Sequence, residues 1–138
     1  MSKETVLRHI LSNNKLIAIV HEFKDWDKGL HFLTSDEEFL QAGTWWYDKG
    51  HVLDKHYHNI LPRESNITQE CIVVLQGSVK VDLYGHKQEY LESFTLSSSE
   101  FAILISGGHG YQILENDTKI LETKNGPFLG VHSDKTRF

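Results

Sequence analysis

The feature that most constrains this chain is a succession of short apolar runs separated by turn residues. Residues 71–75 read Cys-Ile-Val-Val-Leu, and after a turn at Gly77 the residues Val79, Val81 and Leu83 alternate with polar ones. An unbroken run of this length is typical of a buried strand, and alternation is typical of a strand with one solvated face. Such runs recur about every 8–12 residues. The pattern predicts an all-β fold, a sandwich or a barrel.

The predicted strands cover most of the chain. They lie at 15–23, 41–48, 70–75, 79–83, 90–96, 101–105, 111–114 and 119–122. Helical spacing of apolar residues occurs at 3–11, where we expect a short N-terminal helix. A helical turn capped by Ser35 or Thr34 is expected at 35–40.

Length and composition indicate one folded domain spanning 1–138. The chain has 138 residues, of which 39% are apolar and 24% charged, as in ordinary globular proteins. The single cysteine, Cys71, excludes an intrachain disulfide and fits a reducing compartment. There is no signal-peptide pattern and no run of roughly 20 apolar residues. We therefore expect a cytoplasmic protein with no membrane partner.

The charge balance argues against nucleic acid as a partner. Fourteen Lys and Arg residues stand against nineteen Asp and Glu residues, giving a net charge of −5. Nucleic-acid-binding domains normally carry a basic patch, and Lys and Arg form no cluster in this sequence.

Three sequence elements carry candidate metal ligands. If His56-Tyr57-His58 is a strand, both imidazoles project from one face and can converge on one ion, although a solvated strand face reads the same way. Glu70 begins a buried run, so it either needs a cation or escapes to solvent at the strand end. His109 lies within Gly-Gly-His-Gly, which presents it either as a ligand or as an exposed turn residue.

Taken together, these elements resemble the two cupin motifs. Gly50 is followed by five residues and then His56-x-His58, and Glu70 is followed by six residues and then Gly77. The gap between His58 and Glu70 is longer than the family pattern. Glu64 lies nearer the expected spacing, but Glu70 keeps the spacing to Gly77 and opens the strand. We therefore assign Glu70 and interpret 59–69 as a loop.

The second motif is looser. Phe101 to Ile105 supplies its apolar stretch and Gly107-Gly108-His109 its histidine, but Ser99-Glu100 replaces the usual Gly-Asp and the proline is missing. The end of the chain also resembles stand-alone cupins that often accompany genes for polysaccharide or nucleotide-sugar synthesis.

The resemblance implies a cupin-type antiparallel β-barrel, a double-stranded β-helix or jelly roll. It also implies a divalent transition metal (iron, manganese, nickel, cobalt or zinc) held by His56, His58, Glu70 and His109, and a homodimer. His86 and His132 lie outside the motif positions.

Two functions remain open from the sequence. One is a metal-dependent enzyme acting on a small polar, sugar-like molecule; the other is a non-catalytic, metal-stabilised module that binds a small ligand or a partner. Tyr111 shares the parity of His109 and is the best candidate for a catalytic residue. A metal-free route that uses histidine and tyrosine is a variant of the first. The aromatic residues at 45–47 either stack on a sugar or pack in a core or dimer interface.

Overall fold

The computed structural model describes residues 7–138, and they fold almost entirely as strands. The ten strands are β1 Arg8–Ser12, β2 Lys15–His21, β3 Gly29–Phe32, β4 Gly43–Trp46, β5 Glu70–Gln76, β6 Ser78–Tyr84, β7 Tyr90–Ser97, β8 Phe101–Leu104, β9 Gly108–Ile113 and β10 Lys119–Lys124. A single 3-10 turn at Phe23–Asp25 and one short helix, α1, at Val131–Asp134 complete the secondary structure of the described part. The all-β prediction is confirmed. No helix in residues 7–138 is long and apolar enough to cross a membrane.

The strands form three antiparallel sheets. The main sheet has the order β1-β2-β8-β5-β10, the small sheet has the order β7-β6-β9, and β3 pairs with β4 alone. Strand hydrogen bonds do not join these sheets into a closed barrel within the described residues. The coarse class is therefore all-β with stacked sheets.

The hydrophobic core lies between the main and small sheets. Val79, Val81 and Leu83 of β6 face Ile72 and Val74 of β5, and all five side chains are almost fully buried. Complete burial of such an aliphatic side chain stabilises a fold by about 1.5–3 kcal/mol. The alternation in β6 is thus the pattern of a strand buried on one face, as its sequence predicts.

The other face of the main sheet carries a second apolar cluster. Ile19, Cys71 and Ile103 are buried there, covered by the segment that runs from β2 to β4. Gln69 is completely buried and ties this cover down, because its side-chain oxygen accepts the Leu40 N–H at 2.9 Å. Burial raises the pKa of Cys71 to about 11, as expected of a thiol that packs as a small apolar residue.

The predicted N-terminal helix is wrong over its described part. Residues 3–6 lie outside the described residues, and Arg8–Ser12 form strand β1, paired with β2. Asn13 and Asn14 have φ values of 50° and 60°, so they form a two-residue turn of the kind that closes hairpins. This Asn-Asn pair was the stronger local signal, because it fixes the register of β1 on β2.

The predicted helical turn at 35–40 is a simple turn. The Glu38 N–H donates to the carbonyl of Ser35 at 3.1 Å, but no helix follows. The hydrogen bond from Leu40 to Gln69 then pulls the chain back onto the main sheet. Tertiary contacts therefore override the weak helical spacing.

The sandwich is closed along one side and open along the other. On the closed side Arg8 of β1 forms an ion pair with Glu92 of β7, and its guanidinium lies 5.6 Å from the centre of the Phe94 ring. On the opposite side the edge strands β9 and β10 pair only with β6 and β5 in the described sheets. The open side is where the candidate site lies.

Candidate functional site

The open side of the sandwich leads into a cavity of about 1020 Å³. Its walls come from β5, β9, the loop before β5 and the C-terminal segment. The residues that line it are Ser65, Asn66, Ile67, Thr68, Glu70, Tyr84, Gly107–Tyr111, Asn125–Pro127, Leu129 and Ser133–Phe138. The mixture of carboxylate, imidazole, hydroxyl and amide groups is suited to a polar molecule.

Glu70 lies at the start of β5 and points into the sandwich. It is only 8% exposed and shares the inner face with Ile72 and Val74, as predicted from its parity. Burial opposes its ionisation, but hydrogen bonds from His109 and Tyr111 and the charges of His109 and Lys124 outweigh burial. The pKa of Glu70 therefore lies below its ordinary value, and the carboxylate is charged at neutral pH.

His109 and Tyr111 converge on one oxygen of this carboxylate. His109 Nε2 lies 3.0 Å from Glu70 Oε1, and the Tyr111 hydroxyl donates to the same atom at 2.5 Å. The two residues are two positions apart on β9, so their side chains share a face, as the sequence predicts for a continuous strand. Their partners across the ladder, Leu83 and Val81, belong to the core, which fixes that face inward.

The glycines before His109 are needed for the approach of β9 to β6. Gly107 has a φ of +75°, and a side chain there would collide with the carbonyl oxygen of Tyr84. This backbone conformation favours glycine over other residues. The Gly-Gly pair therefore allows the backbone just before His109 to pass close to Tyr84 of β6.

Tyr111 keeps its proton at the site. Burial raises the pKa of its hydroxyl, and the hydrogen bond to the Glu70 carboxylate raises it further. The hydroxyl is consequently a hydrogen-bond donor throughout the physiological pH range. It remains 40% exposed as a residue, so a molecule in the cavity can reach its ring.

Asn125, which follows β10, anchors the loop that leads into Glu70. Its side-chain oxygen accepts the Gln69 N–H at 2.7 Å, and its amide donates to Ser65 Oγ and to the Ile67 carbonyl, each at 3.0 Å. These three bonds hold the backbone one residue before Glu70. Nothing in the motif spacings marked this role; the signal was the Asn-Gly-Pro turn sequence alone.

His56 and His58 lie elsewhere. Residues 49–64, which we call the arm, contain no strand and are exposed at every position. The two rings are near each other, with centres 5.2 Å apart, but neither lines the cavity. In this chain the pair does not lie on a strand, because no neighbouring strand within residues 7–138 supplies the hydrogen bonds that extended backbone needs. Glu64 is also exposed in the arm, as predicted for a loop carboxylate.

The described residues therefore gather only part of the predicted ligand set. Glu70 and His109 are adjacent, whereas no group of three or more His, Cys, Asp or Glu side chains suited to a metal exists within 7–138. His86 and His132 are exposed and do not line the cavity. Tyr47 stacks on His51, with ring centres 4.0 Å apart, and Trp45 is exposed.

Comparisons with known proteins assign no family to this chain. No family model matches it, and neither curated proteins nor solved structures give a significant match. Its function therefore has to be argued from the geometry around Glu70.

Proposed function

We propose that this chain is a cupin-type protein that binds a divalent transition metal and a small polar molecule in the cavity of the open sandwich. The observation that carries the proposal is the convergence of His109 and Tyr111 on the buried carboxylate of Glu70. A buried carboxylate is expensive unless it is paired, and this one faces an open cavity rather than a packed core. A charged group in this position would interact with a cation or a polar molecule that enters the cavity.

The donors present suit such a metal. Glu70 Oε1 and His109 Nε2, which lie 3.0 Å apart, would be two of the atoms that hold it. An imidazole and a carboxylate together favour iron, manganese, nickel, cobalt or zinc over magnesium or calcium. The motif resemblance adds His56 and His58 as the remaining ligands.

The protein groups have separate tasks in this proposal. A bound metal would polarise an oxygen atom of the small molecule. Tyr111 donates a hydrogen bond from its hydroxyl to the carboxylate of Glu70 and so holds that carboxylate in one orientation. Asn125 fixes the backbone beside Glu70. The C-terminal segment contributes Lys135 and Arg137 to the wall of the cavity.

A metal-free variant has one observation in its favour. The carboxylate of Glu70 is already satisfied by hydrogen bonds from Tyr111 and His109. In that variant the histidine and tyrosine would move protons on a sugar-like molecule without a metal. The non-catalytic alternative keeps the same cavity and binds the molecule without turnover.

Elemental analysis of the full chain, purified without chelator or added metal, tests the proposal. We expect close to one transition-metal ion per chain in the wild type and in His86→Ala and His132→Ala. We expect loss of most of that metal in His109→Ala, because a deleted imidazole leaves Glu70 without its neighbouring donor. Equal metal content in all four proteins would contradict the assignment.

Mass spectrometry of any co-purified small molecule separates the remaining alternatives. A polar ligand released from wild type but absent from His109→Ala supports binding in this cavity. If the ligand is retained and converted by protein that holds no metal, the metal-free variant is correct.

A further inference from the structure

The arm is rich in large apolar residues although it is exposed to solvent. Val52, Leu53, Tyr57, Ile60 and Leu61 are all exposed large apolar residues, with Tyr57 86% and Ile60 101% exposed. Hydrogen bonds within the arm are local: His56 Nδ1, for example, contacts the carbonyl of Asp54 at 3.0 Å. A run of exposed apolar residues of this kind marks a surface that another element covers.

On the open side of the sandwich, β9 has no strand beside its outer edge within the described sheets. Ile113 and Tyr111 face the same way as the core residues Val79 and Val81, with which they pair across the ladder. They are nevertheless 56% and 40% exposed. The outer edge of β9 is also unpaired within the described sheets, so its N–H and C=O groups are free to accept a further strand.

The arm has the pattern of that missing strand. If residues 52–60 are extended, Val52, His56, His58 and Ile60 share one face. Placed beside β9, this face would cover the inner surface at Ile113 and bring the two imidazoles to the level of the cavity. Pro62 would end the strand, because proline donates no ladder hydrogen bond.

The arm is tethered to its own body only at its ends. Asp48, just before it, pairs with Lys28 at 3.0 Å, and Ser65, just after it, accepts from Asn125 at 3.0 Å. Between these anchors every residue is exposed, so the arm does not cover the edge of its own chain. An identical chain presents the same bare edge and the same uncovered arm. Two copies can therefore satisfy both by reciprocal exchange about a twofold axis.

We infer that the arm, residues 49–64, adds as a strand to the β9 edge of a second copy of this chain. The exchange brings His56 and His58 beside the partner's Glu70 and the partner's His109. Each site is then built from two chains, which explains why one chain by itself gathers only two of the four predicted ligands. The pairing of arm and edge rests on exposure and strand topology; only its contribution to metal binding rests on the proposed function.

Cross-linking between two distinguishable copies tests the exchange. Two tagged forms of the full chain, both carrying Cys71→Ala, are co-expressed: one bears Tyr57→Cys in the arm and the other Gln112→Cys on β9. A short bis-maleimide should join them into a covalent heterodimer that carries both tags. The matched control replaces Gln112→Cys with Thr95→Cys, which lies in the same row of the small sheet but on its opposite edge.

The outcomes separate the alternatives. A heterodimer with Gln112→Cys and little or none with Thr95→Cys supports the exchange. A single chain carrying both Tyr57→Cys and Gln112→Cys that cross-links only within itself would overturn it, since the arm would then cover its own edge. Equal labelling at the two edges would also overturn it.

Light scattering on the unmodified protein gives a second measurement that does not depend on any variant. We expect twice the chain mass of 15.9 kDa across micromolar concentrations. A monomer at every concentration would contradict the inference. Repeating the cross-linking in chelator separates the two proposals, because a cross-linked dimer in protein that holds no metal leaves the exchange standing while the metal assignment fails.

Discussion

Glu70, His109 and Tyr111 differ from His56 and His58 in what holds them. The first three lie on β5 and β9, where ladder hydrogen bonds and core neighbours fix both position and direction. The other two lie in an arm where no ladder exists and every residue is exposed. The comparison teaches that a motif becomes a site only where strand pairing fixes its side chains.

Of the changes predicted here, truncation of a core side chain that packs behind β9 should reduce the free energy of unfolding most. Leu83 is 1% exposed and pairs directly with His109, so Leu83→Ala leaves a cavity in the core. We expect the free energy of unfolding to fall by about 2–5 kcal/mol. Urea denaturation followed by circular dichroism measures it. Leu11→Ala, at a position 60% exposed on β1, is the control and should change stability little; similar losses in both variants would show that β9 is not braced as described.

Glu70 and Glu64 allow the strand and the arm to be compared by their effect on metal binding. Glu70 lies on the strand and Glu64 in the arm. Glu70→Gln keeps the shape but removes the charge, so we expect Zn²⁺ affinity to fall at least about tenfold, or roughly 1.4 kcal/mol. Glu64→Gln should change it little. Calorimetric titration of both variants decides the matter, and the reverse order would mean that the arm supplies the carboxylate.

The smallest expected effect concerns His21. This histidine lies on a strand, like His109, but it does not line the cavity. It is buried, its ring stacks on Phe101 with centres 4.5 Å apart, and its Nδ1 has no hydrogen-bond partner among the described residues. Burial lowers its pKa below 6.5, and attraction to Asp25 and Glu100 only partly offsets this.

The lowered pKa of His21 should make the folded state less stable at acid pH. As the pH falls below about 6.5 the unfolded chain takes up a proton on this histidine before the folded chain does, so the free energy of unfolding decreases toward the folded pKa. Above that range the group contributes no pH dependence. Thermal unfolding from pH 7.5 to 5 should show a flatter acid limb in His21→Phe than in wild type. Parallel profiles would contradict the assignment of a neutral buried imidazole.

Much of the strand framework could be read from local pattern. The run at 71–75 and the alternation at 79–83 appear as β5 and β6 in the positions predicted, because burial on one or both faces leaves a direct trace in the sequence. Strand parity also places Glu70 on the same face as Ile72 and Cys71 on the opposite face. Both depend only on the two-residue period of a strand.

The misses have a common cause. The helical spacing at 3–11 was outweighed by the Asn13-Asn14 turn, which pairs β1 with β2. The strand expected at His56-Tyr57-His58 had no partner in its own chain. In both cases the outcome depended on whether another strand pairs with the segment, and the spacing of apolar residues within the segment contains no information about such a partner.

The sequence by itself determined the all-β class, the shared face of Glu70 with Ile72 and Val74, and the shared face of His109 and Tyr111, since each follows from the alternation of side chains along a strand. Only the tertiary structure decided that these three side chains meet. Glu70 and His109 are separated along the chain by three other strands, and their contact at 3.0 Å exists because β5 and β9 face each other across the sandwich. Tertiary structure also decided that the arm is exposed and that the outer edge of β9 has no paired strand among residues 7–138, because strand pairing depends on which segments the fold brings together.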